Sequence, residues 1–160
     1  MFQKTKIAGL LLLAVSASPL HTSAAAPLHV VANSNDYSAS SYLIKENRVY
    51  CKIETLSSMM GALNAWVFKD SQSVSFITHF SEQGNSDEFY TWFGRSDKVE
   101  IRSTSGGKEN VKSLKMDHPT VVSKNGEILI PLRDAISVLG KQISWDRRSN
   151  QITVTGKITY

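Results

Sequence analysis

Side chains able to do acid–base or metal chemistry are few in this chain of 160 residues, and they lie far apart. The histidines that follow the N-terminal segment are His29, His79 and His118. None of them is close enough in sequence to another to give the His-x-His spacing that favours a copper site. The sequence therefore predicts no metal site and no cofactor.

Acidic residues cluster once, in a polar stretch that contains Glu82, Asp87 and Glu88. A general acid and a general base must be held within hydrogen-bond reach of a substrate. A polar loop does not hold carboxylates in that way, so we interpret this cluster as solvated loop charge.

No nucleophile in the sequence is accompanied by a base. The single cysteine, Cys51, has no neighbours that would activate its thiol, so we predict that it is a small buried hydrophobic residue. The Gly106–Lys108 stretch lacks the spacing and the preceding apolar strand of a phosphate-binding loop. Hydrolase and metalloprotease signatures are also missing from the sequence. These observations predict no catalytic residue and a protein that is not an enzyme.

Aromatic residues are the remaining candidates for binding a ligand. Trp66 and Trp145 each follow a glycine by the same distance, which favours a repeated packing role in the core over stacking on a ligand. On that interpretation, Trp145→Ala costs about 3–5 kcal/mol of stability. The middle of the chain offers Tyr90, Trp92 and Phe93 as ligand-facing residues, with burial against a sheet as the alternative.

The stretch from residue 125 to residue 155 predicts a complete unit of turn, strand, short helix, strand, turn and strand. Asn125 and Gly126 suit a tight hairpin turn with two positive φ angles. The next strand ends at Pro131, because proline has no N–H to donate to a ladder.

The helix of this unit is predicted to begin at Asp134, which can cap it, and to end at Gly140 in a left-handed conformation. Trp145 follows on a strand, and Asp146 is expected to accept backbone N–H groups in the next turn. Arg133, at the junction of strand and helix, can pair with Asp134 or Asp146, or donate to carbonyl groups. The unit is clear as architecture and contains no obvious chemistry.

A weaker copy of the same unit occupies residues 48–76. Thr55 is expected to cap its helix and Gly61 to end it. The aligned positions are Gly61 with Gly140, Trp66 with Trp145, and Cys51 with Ile130. A match of helix end, tryptophan and strand phase at one offset indicates an internal duplication.

The remaining segments are less sharply patterned. Residues 27–41 predict a flexible lead-in with an edge strand at residues 28–31. Strands are predicted at residues 88–93 and 98–102, a hairpin turn at 105–108, and an edge strand at 110–116.

Residues 1–26 have the pattern of a signal peptide. Lys4 and Lys6 precede a short apolar core, and small residues follow at positions 22–26. The apolar run is too short for a permanent membrane span. The sequence therefore predicts a secreted protein, extracellular or associated with the cell wall, with no stable membrane span after cleavage.

Composition limits the class of partner. A hydrophobic content of 41% and a charged content of 20% are those of a folded globular protein. The net charge of +4 comes from basic residues interleaved with acidic ones, which argues against nucleic acid.

The motifs in the unit at residues 125–155 and just before it resemble the copper amine oxidase N-terminal-like domain, or stalk domain, of exported bacterial proteins. They are Asp117–Pro119, Asn125–Gly126, Leu129–Arg133 including Pro131 and Leu132, Leu139–Gly140 and Trp145–Asp146. His118 stands where the family pattern has a proline. The resemblance implies a mainly antiparallel sheet wrapped around short helices, remote from copper or redox chemistry.

We therefore expect an α+β fold, a mainly antiparallel sheet packed on two short helices and built from two related strand-helix-strand-strand halves. The expected division is a signal peptide at 1–26, a lead-in at 27–41 and a single stalk-like domain at 42–160. Within that domain lie a degenerate half at 42–79, middle strands at 80–117 and a well-matched half at 118–155. The expected function is a non-catalytic interaction or scaffold module, with a cell-wall glycan or polysaccharide binding module as the alternative. The expected partner is a protein or a cell-wall polymer.

Overall fold

The computed structural model describes residues 27–79 and 86–158. The predicted signal peptide at 1–26 lies outside this part of the chain. Within the two described ranges, no helix has the length and apolar character needed to cross a membrane.

The described residues form thirteen strands, two α-helices and one 3₁₀ turn at Ala39–Ser41. The helices are α1 (Ile53–Met60) and α2 (Leu132–Val138). The strands are β1 (His29–Ala32), β2 (Asn35–Tyr37), β3 (Tyr42–Lys45), β4 (Arg48–Cys51), β5 (Ala65–Phe68), β6 (Ser73–His79), β7 (Ser86–Phe93), β8 (Lys98–Ser105), β9 (Lys108–Lys115), β10 (Val121–Val122), β11 (Ile128–Pro131), β12 (Gln142–Asp146) and β13 (Gln151–Thr155). Nearly all neighbouring strands are antiparallel, so the predicted α+β class with two short helices is confirmed.

A small central sheet joins the two regions that resemble each other in sequence. Its strand order is β10-β11-β4-β3. Ile130 of β11 pairs directly with Cys51 of β4, and both side chains are fully buried. The turn between β3 and β4 uses Glu46 and Asn47, both with positive φ, as a tight hairpin requires.

The second sheet has the order β12-β13-β1-β2. Strand β1 pairs with β13 in parallel and with β2 antiparallel, and Val30 and Ala32 are fully buried. The strand predicted in this segment is confirmed, but it lies inside its sheet and not at an edge. Its apolar side chains cover the C-terminal hairpin, a long-range pairing that local sequence does not encode.

The third sheet contains five strands in the order β5-β6-β7-β8-β9. The strands and the hairpin turn predicted in the middle of the chain are confirmed, although β7, β8 and β9 are each longer than expected. Gly106 and Gly107 both have positive φ in the turn between β8 and β9. Strand β9 lies at the edge of this sheet, as predicted.

Both helices end as the sequence predicts but begin differently. Gly61 and Gly140 adopt left-handed φ angles of 67° and 65°, which only glycine adopts without strain. Lys52 and Pro131 precede the first helical residues and provide no side-chain cap. The predicted caps, Thr55 and Asp134, lie inside the first turns instead, so those two predictions are wrong.

The turn before β11 differs in detail from the prediction. Gly126 has a φ of 80°, whereas Asn125 is not among the residues with positive φ. The Gly126 N–H donates to the carbonyl of Ser123, and the Ser123 N–H donates to the carbonyl of Glu127. The connection is therefore a longer hairpin loop with one left-handed glycine, and not a two-residue turn with two positive φ angles.

One core fills the space between the helices and the three sheets. Its largest fully buried side chains are Trp92, Phe76, Ile53, Leu56, Met59, Met60, Ile130, Leu132 and Ile136. Both helices contribute to it, as do all three sheets. Packing of this kind makes the two helices and the sheets depend on each other for stability.

The two tryptophans that align in sequence occupy different positions in their sheets. Trp66 pairs with Ser75, whereas Trp145 pairs with Ile152. Residues paired across a ladder share a face, so Trp66 lies on the face opposite to the core residue Val74. Val67 pairs with Val74 seven positions later, as Trp145 pairs with Ile152. By position in the hairpin, Val67 is therefore the counterpart of Trp145, and the sequence alignment of the two tryptophans is out of register by one residue.

Candidate functional site

A groove on the surface of the described residues has a volume of about 900 Å³, within the range of small-molecule sites. It lies between the β3–β4 hairpin, the start of α2 and the β12–β13 hairpin. We name it the arginine groove, and its lining residues are Leu28, Ile44, Asn47, Arg48, Val49, His118, Pro131, Leu132, Arg133, Asp134, Ile143, Ser144, Trp145, Arg147, Asn150 and Ile152.

Positive charge dominates the arginine groove. Three guanidinium groups line it, from Arg48, Arg133 and Arg147, against the single carboxylate of Asp134. Arg48 lies 3.6 Å from Glu46, whereas neither Arg133 nor Arg147 forms an ion pair among the described residues. The groove therefore carries an excess of cationic hydrogen-bond donors that the fold itself does not use.

Trp145 forms an exposed aromatic wall of this groove. Its side chain is 49% exposed, so the prediction that it anchors the core is wrong. It sits on the inward face of its sheet, as its pairing with Ile152 requires, but near the end of the strand, where the core no longer covers it. The guanidinium of Arg147 lies over its ring at 5.5 Å from the centroid, a cation–π arrangement that keeps both groups at the groove.

Ile44 adds an apolar patch to the arginine groove. It lies on the β3–β4 hairpin and is 54% exposed. Buried or partly buried apolar residues line the groove as well: Leu28, Pro131, Leu132, Ile143 and Ile152. The groove thus combines apolar contact area with cations.

His118 and Asp134 form a polar pair in the groove. The backbone N–H of His118 donates to Asp134 Oδ2 over 2.8 Å, and His118 Nδ1 lies 3.0 Å from the same oxygen. Asp134 is buried and its oxygen holds the loop before β10 against the first turn of α2. In the part of the chain that the structure describes, no hydroxyl or thiol is hydrogen-bonded to the His118 ring, so the pair fixes the groove wall without forming a nucleophile–base arrangement.

Asp146 organises the turn that carries Arg147. Its carboxylate accepts the Arg148 N–H over 2.9 Å and the Ser149 hydroxyl over 2.8 Å. The prediction that Asp146 accepts backbone N–H groups in the turn is confirmed. The Arg148 N–H, followed by the Ser149 hydroxyl, holds the pKa of this carboxyl below its usual value.

Some of the other predicted signature residues line the groove, and the rest lie elsewhere in the fold. Pro131, Leu132 and Arg133 line the groove. Arg133 is exposed and forms no ion pair with Asp134 or Asp146 in the described ranges. Asn125, Gly126, Gly140, Gly61 and Trp66 are not among the groove-lining residues.

The aromatic residues predicted to face a ligand have different environments. Trp92 is fully buried beside Phe76, with ring centroids 5.2 Å apart. For this residue the alternative of burial against a sheet is confirmed, and a ligand-facing role is excluded. Tyr90 shares the face of Trp92 and is partly buried, and its pKa is raised to about 12, mainly by burial and then by Glu88. Phe93 lies on the opposite face, partly buried, with the Lys98 ammonium 5.7 Å from its ring centroid.

The candidate metal and acid–base residues do not assemble. Among residues 27–79 and 86–158, no group of three or more His, Cys, Asp or Glu side chains could hold a metal ion. Glu88 accepts a hydrogen bond from Thr78 over 2.8 Å, and Glu82 lies outside the described residues. Cys51 is buried, as predicted, and burial raises the pKa of its thiol to about 12, so it is not a nucleophile.

The groove residues that sequence reasoning missed include Ile44, Arg48 and Arg147. Arg147 directly follows the Trp145–Asp146 motif, and that proximity was the available signal. Ile44 and Arg48 lie about a hundred residues from Trp145 in sequence, and only the folded chain brings them to the same surface.

Comparison with known proteins adds one family. Residues 108–160 match the family model of the copper amine oxidase N-terminal domain. The resemblance predicted from the motifs is confirmed for this stretch, which includes α2 and the β12–β13 hairpin and so most of the arginine groove. The match suggests a non-catalytic, stalk-like module. Neither the curated proteins nor the solved structures contain a match to the chain.

Proposed function

We propose that this chain is an exported, non-catalytic interaction module of the bacterial cell envelope or medium, and that the arginine groove is its binding surface. The observation that carries the proposal is the grouping of Arg133, Arg147 and exposed Trp145 in the stretch matched to the domain family. Exposed aromatic and arginine side chains are the residues most enriched at binding hot spots.

The chemistry of the groove supports binding over catalysis. Among the described residues no hydroxyl or thiol is hydrogen-bonded to the His118 ring, and the thiol of Cys51 is buried. A reaction at this surface would need a nucleophile or a proton donor and acceptor facing the ligand. Arginine and tryptophan supply neither, but they supply charge, donors and contact area.

Export is supported by the sequence of residues 1–26, with its basic start, apolar core and small residues. We further infer an internal duplication. The order strand, helix and antiparallel hairpin occurs at β4–α1–β5–β6 and again at β11–α2–β12–β13. The pairing of Cys51 with Ile130, the residues aligned in sequence, supports the same inference.

Cosedimentation with purified bacterial cell wall tests the proposed function. The wild-type chain, without residues 1–26, is expected to pellet with the wall at low salt, and a variant with Arg48→Ala, Arg133→Ala and Arg147→Ala is expected to remain in the supernatant. The matched control removes three exposed lysines outside the groove, with Lys108→Ala, Lys112→Ala and Lys124→Ala.

Equal pelleting of the wild type and both variants would contradict a role for the groove. Loss of pelleting in both variants would indicate attraction by net charge alone. Absence of wild-type pelleting would count against attachment to the wall.

A further inference from the structure

We propose that the arginine groove binds an acidic polysaccharide, with Trp145 against the face of a sugar ring and the arginines on its carboxylate groups. The inference rests on the proposed function, because it names the ligand of the same surface. It depends on three features of the groove: its charge, its exposed aromatic ring and the acidic residues beside it.

The charge of the groove favours an anionic ligand. Arg133 and Arg147 have no ion-pair partner among the described residues. The one carboxylate that lines the groove, Asp134, is buried and already accepts hydrogen bonds from His118. A guanidinium group binds a carboxylate through two parallel hydrogen bonds, which gives these arginines a defined geometry for such a ligand.

The exposed ring of Trp145 favours a ligand that offers an apolar contact surface as well as charge. Trp145 is half exposed, and Ile44 also lines the groove. A sugar ring presents C–H groups on its faces and hydroxyl groups at its edges, so it can cover the tryptophan face while its edge stays hydrogen-bonded. Arg147 lies over one face of the Trp145 ring, 5.5 Å from its centroid. A sugar that stacks on that face therefore displaces the guanidinium to the side of the ring, where it can bind a carboxylate of the same sugar.

Residues beside the groove disfavour a continuous polyphosphate. Glu46 lies 3.6 Å from Arg48, and Asp146 directly precedes Arg147. These carboxylates interrupt the basic surface, whereas a nucleic acid backbone is best bound along an uninterrupted basic track. A peptide made only of acidic residues satisfies the arginines but has no ring whose C–H face matches the tryptophan.

Isothermal titration calorimetry with defined probes tests the inference. The probes are an oligogalacturonate of fixed length, the same oligomer as its methyl ester, polyglutamate of equal charge and a single-stranded oligonucleotide. The oligogalacturonate is expected to bind with the lowest Kd, and each of the other probes at least about tenfold more weakly. The methyl ester is the sharpest comparison, because it keeps the rings and removes the charge.

Two groove variants separate the contributions of ring and charge. Trp145→Ala is expected to raise the Kd for oligogalacturonate by at least about tenfold, as is the double variant Arg133→Ala with Arg147→Ala. The lysine control variant Lys108→Ala, Lys112→Ala and Lys124→Ala is expected to keep the wild-type Kd. Unchanged thermal unfolding of each variant excludes a loss of fold as the cause.

Three results would overturn the inference: no binding of oligogalacturonate, equal binding of polyglutamate or the oligonucleotide, or an unchanged Kd for Trp145→Ala. The two proposals fail differently. If pelleting with the wall depends on the groove arginines but oligogalacturonate does not compete with it, the proposed function is supported and this ligand is rejected. Failure of groove-dependent pelleting rejects the proposed function, whichever soluble probe binds.

Discussion

Asp134 accepts two hydrogen bonds from one residue, His118, on the same carboxylate oxygen. The backbone N–H contributes one at 2.8 Å, and Nδ1 of the ring lies at 3.0 Å. Because Asp134 belongs to α2 and His118 to the loop after β9, this pair ties the middle sheet to the second helix. It also fixes one wall of the arginine groove.

The first prediction concerns this pair. Asp134→Ala is expected to lower the free energy of unfolding by about 1–3 kcal/mol, because it leaves the His118 N–H without its acceptor. His118→Ala keeps the backbone bond and should cost less. The neighbouring exposed variant Arg133→Ala is expected to change stability by no more than about 0.5 kcal/mol. Urea unfolding followed by circular dichroism measures all three, and equal losses for Asp134→Ala and Arg133→Ala would contradict a structural role for the pair.

The second prediction contrasts two tryptophans. Trp92 is fully buried, so Trp92→Ala is expected to cost about 3–5 kcal/mol. Trp145 is half exposed, so Trp145→Ala is expected to cost less than about 1 kcal/mol. This reverses the value that the sequence alone predicts for Trp145.

Chemical denaturation measures both costs. Trp92→Phe serves as the control, because Nε1 of Trp92 has no hydrogen-bond partner among the described residues. The phenylalanine therefore gives up no hydrogen bond there and should cost less than the alanine. A large loss for Trp145→Ala would show that its exposed face also supports the core.

The third prediction concerns the reactivity of Cys51. Its pKa is raised from 9.0 to about 12 by burial, so at pH 8 the thiol is protonated as well as inaccessible. A thiol reagent is expected to label the folded protein only at the rate of unfolding, and to label it at once in denaturant. Because the thiol pKa is higher in the folded state, the contribution of this thiol to the free energy of unfolding is at its full value below pH 9. The contribution decreases as the pH rises toward 12. Rapid labelling of the native protein at pH 8 would contradict the burial.

The fourth prediction concerns the end of α2. Gly140 has a φ of 65°, and a Cβ added there would meet no atom within 4 Å. Gly140→Ala is therefore expected to cost about 1–2 kcal/mol from backbone conformation alone. Gly140→Asn should cost less, since asparagine adopts this conformation more readily. Thermal unfolding compares the two variants, and equal stability of wild type and Gly140→Ala would contradict the left-handed helix end.

Features that depend on a few neighbouring residues can be predicted from the sequence. Helix ends at Gly61 and Gly140, the hairpin turn at Gly106–Gly107 and the role of Asp146 in its turn follow from side-chain chemistry and φ preferences acting over a few residues. The domain-family resemblance of the C-terminal part follows from the same local motifs.

Which face of each strand is covered depends on the folded chain. Alternation in a strand separates two faces but does not say which of them the rest of the chain will cover. Trp66 and Trp145 follow their glycines at the same distance, yet their strands differ by one residue in pairing. Trp92 of β7 is fully buried because its face of the strand meets the core.

The arginine groove likewise exists only in the folded chain. Arg48 and Ile44 come from an early hairpin, and Trp145 and Arg147 from a late one. Pairing of β4 with β11 brings the two regions together. Local sequence encodes the turns, the helix ends and the strands. Long-range strand pairing decides which residues meet at a surface able to bind a ligand. Burial likewise depends on contacts between segments that are distant in sequence.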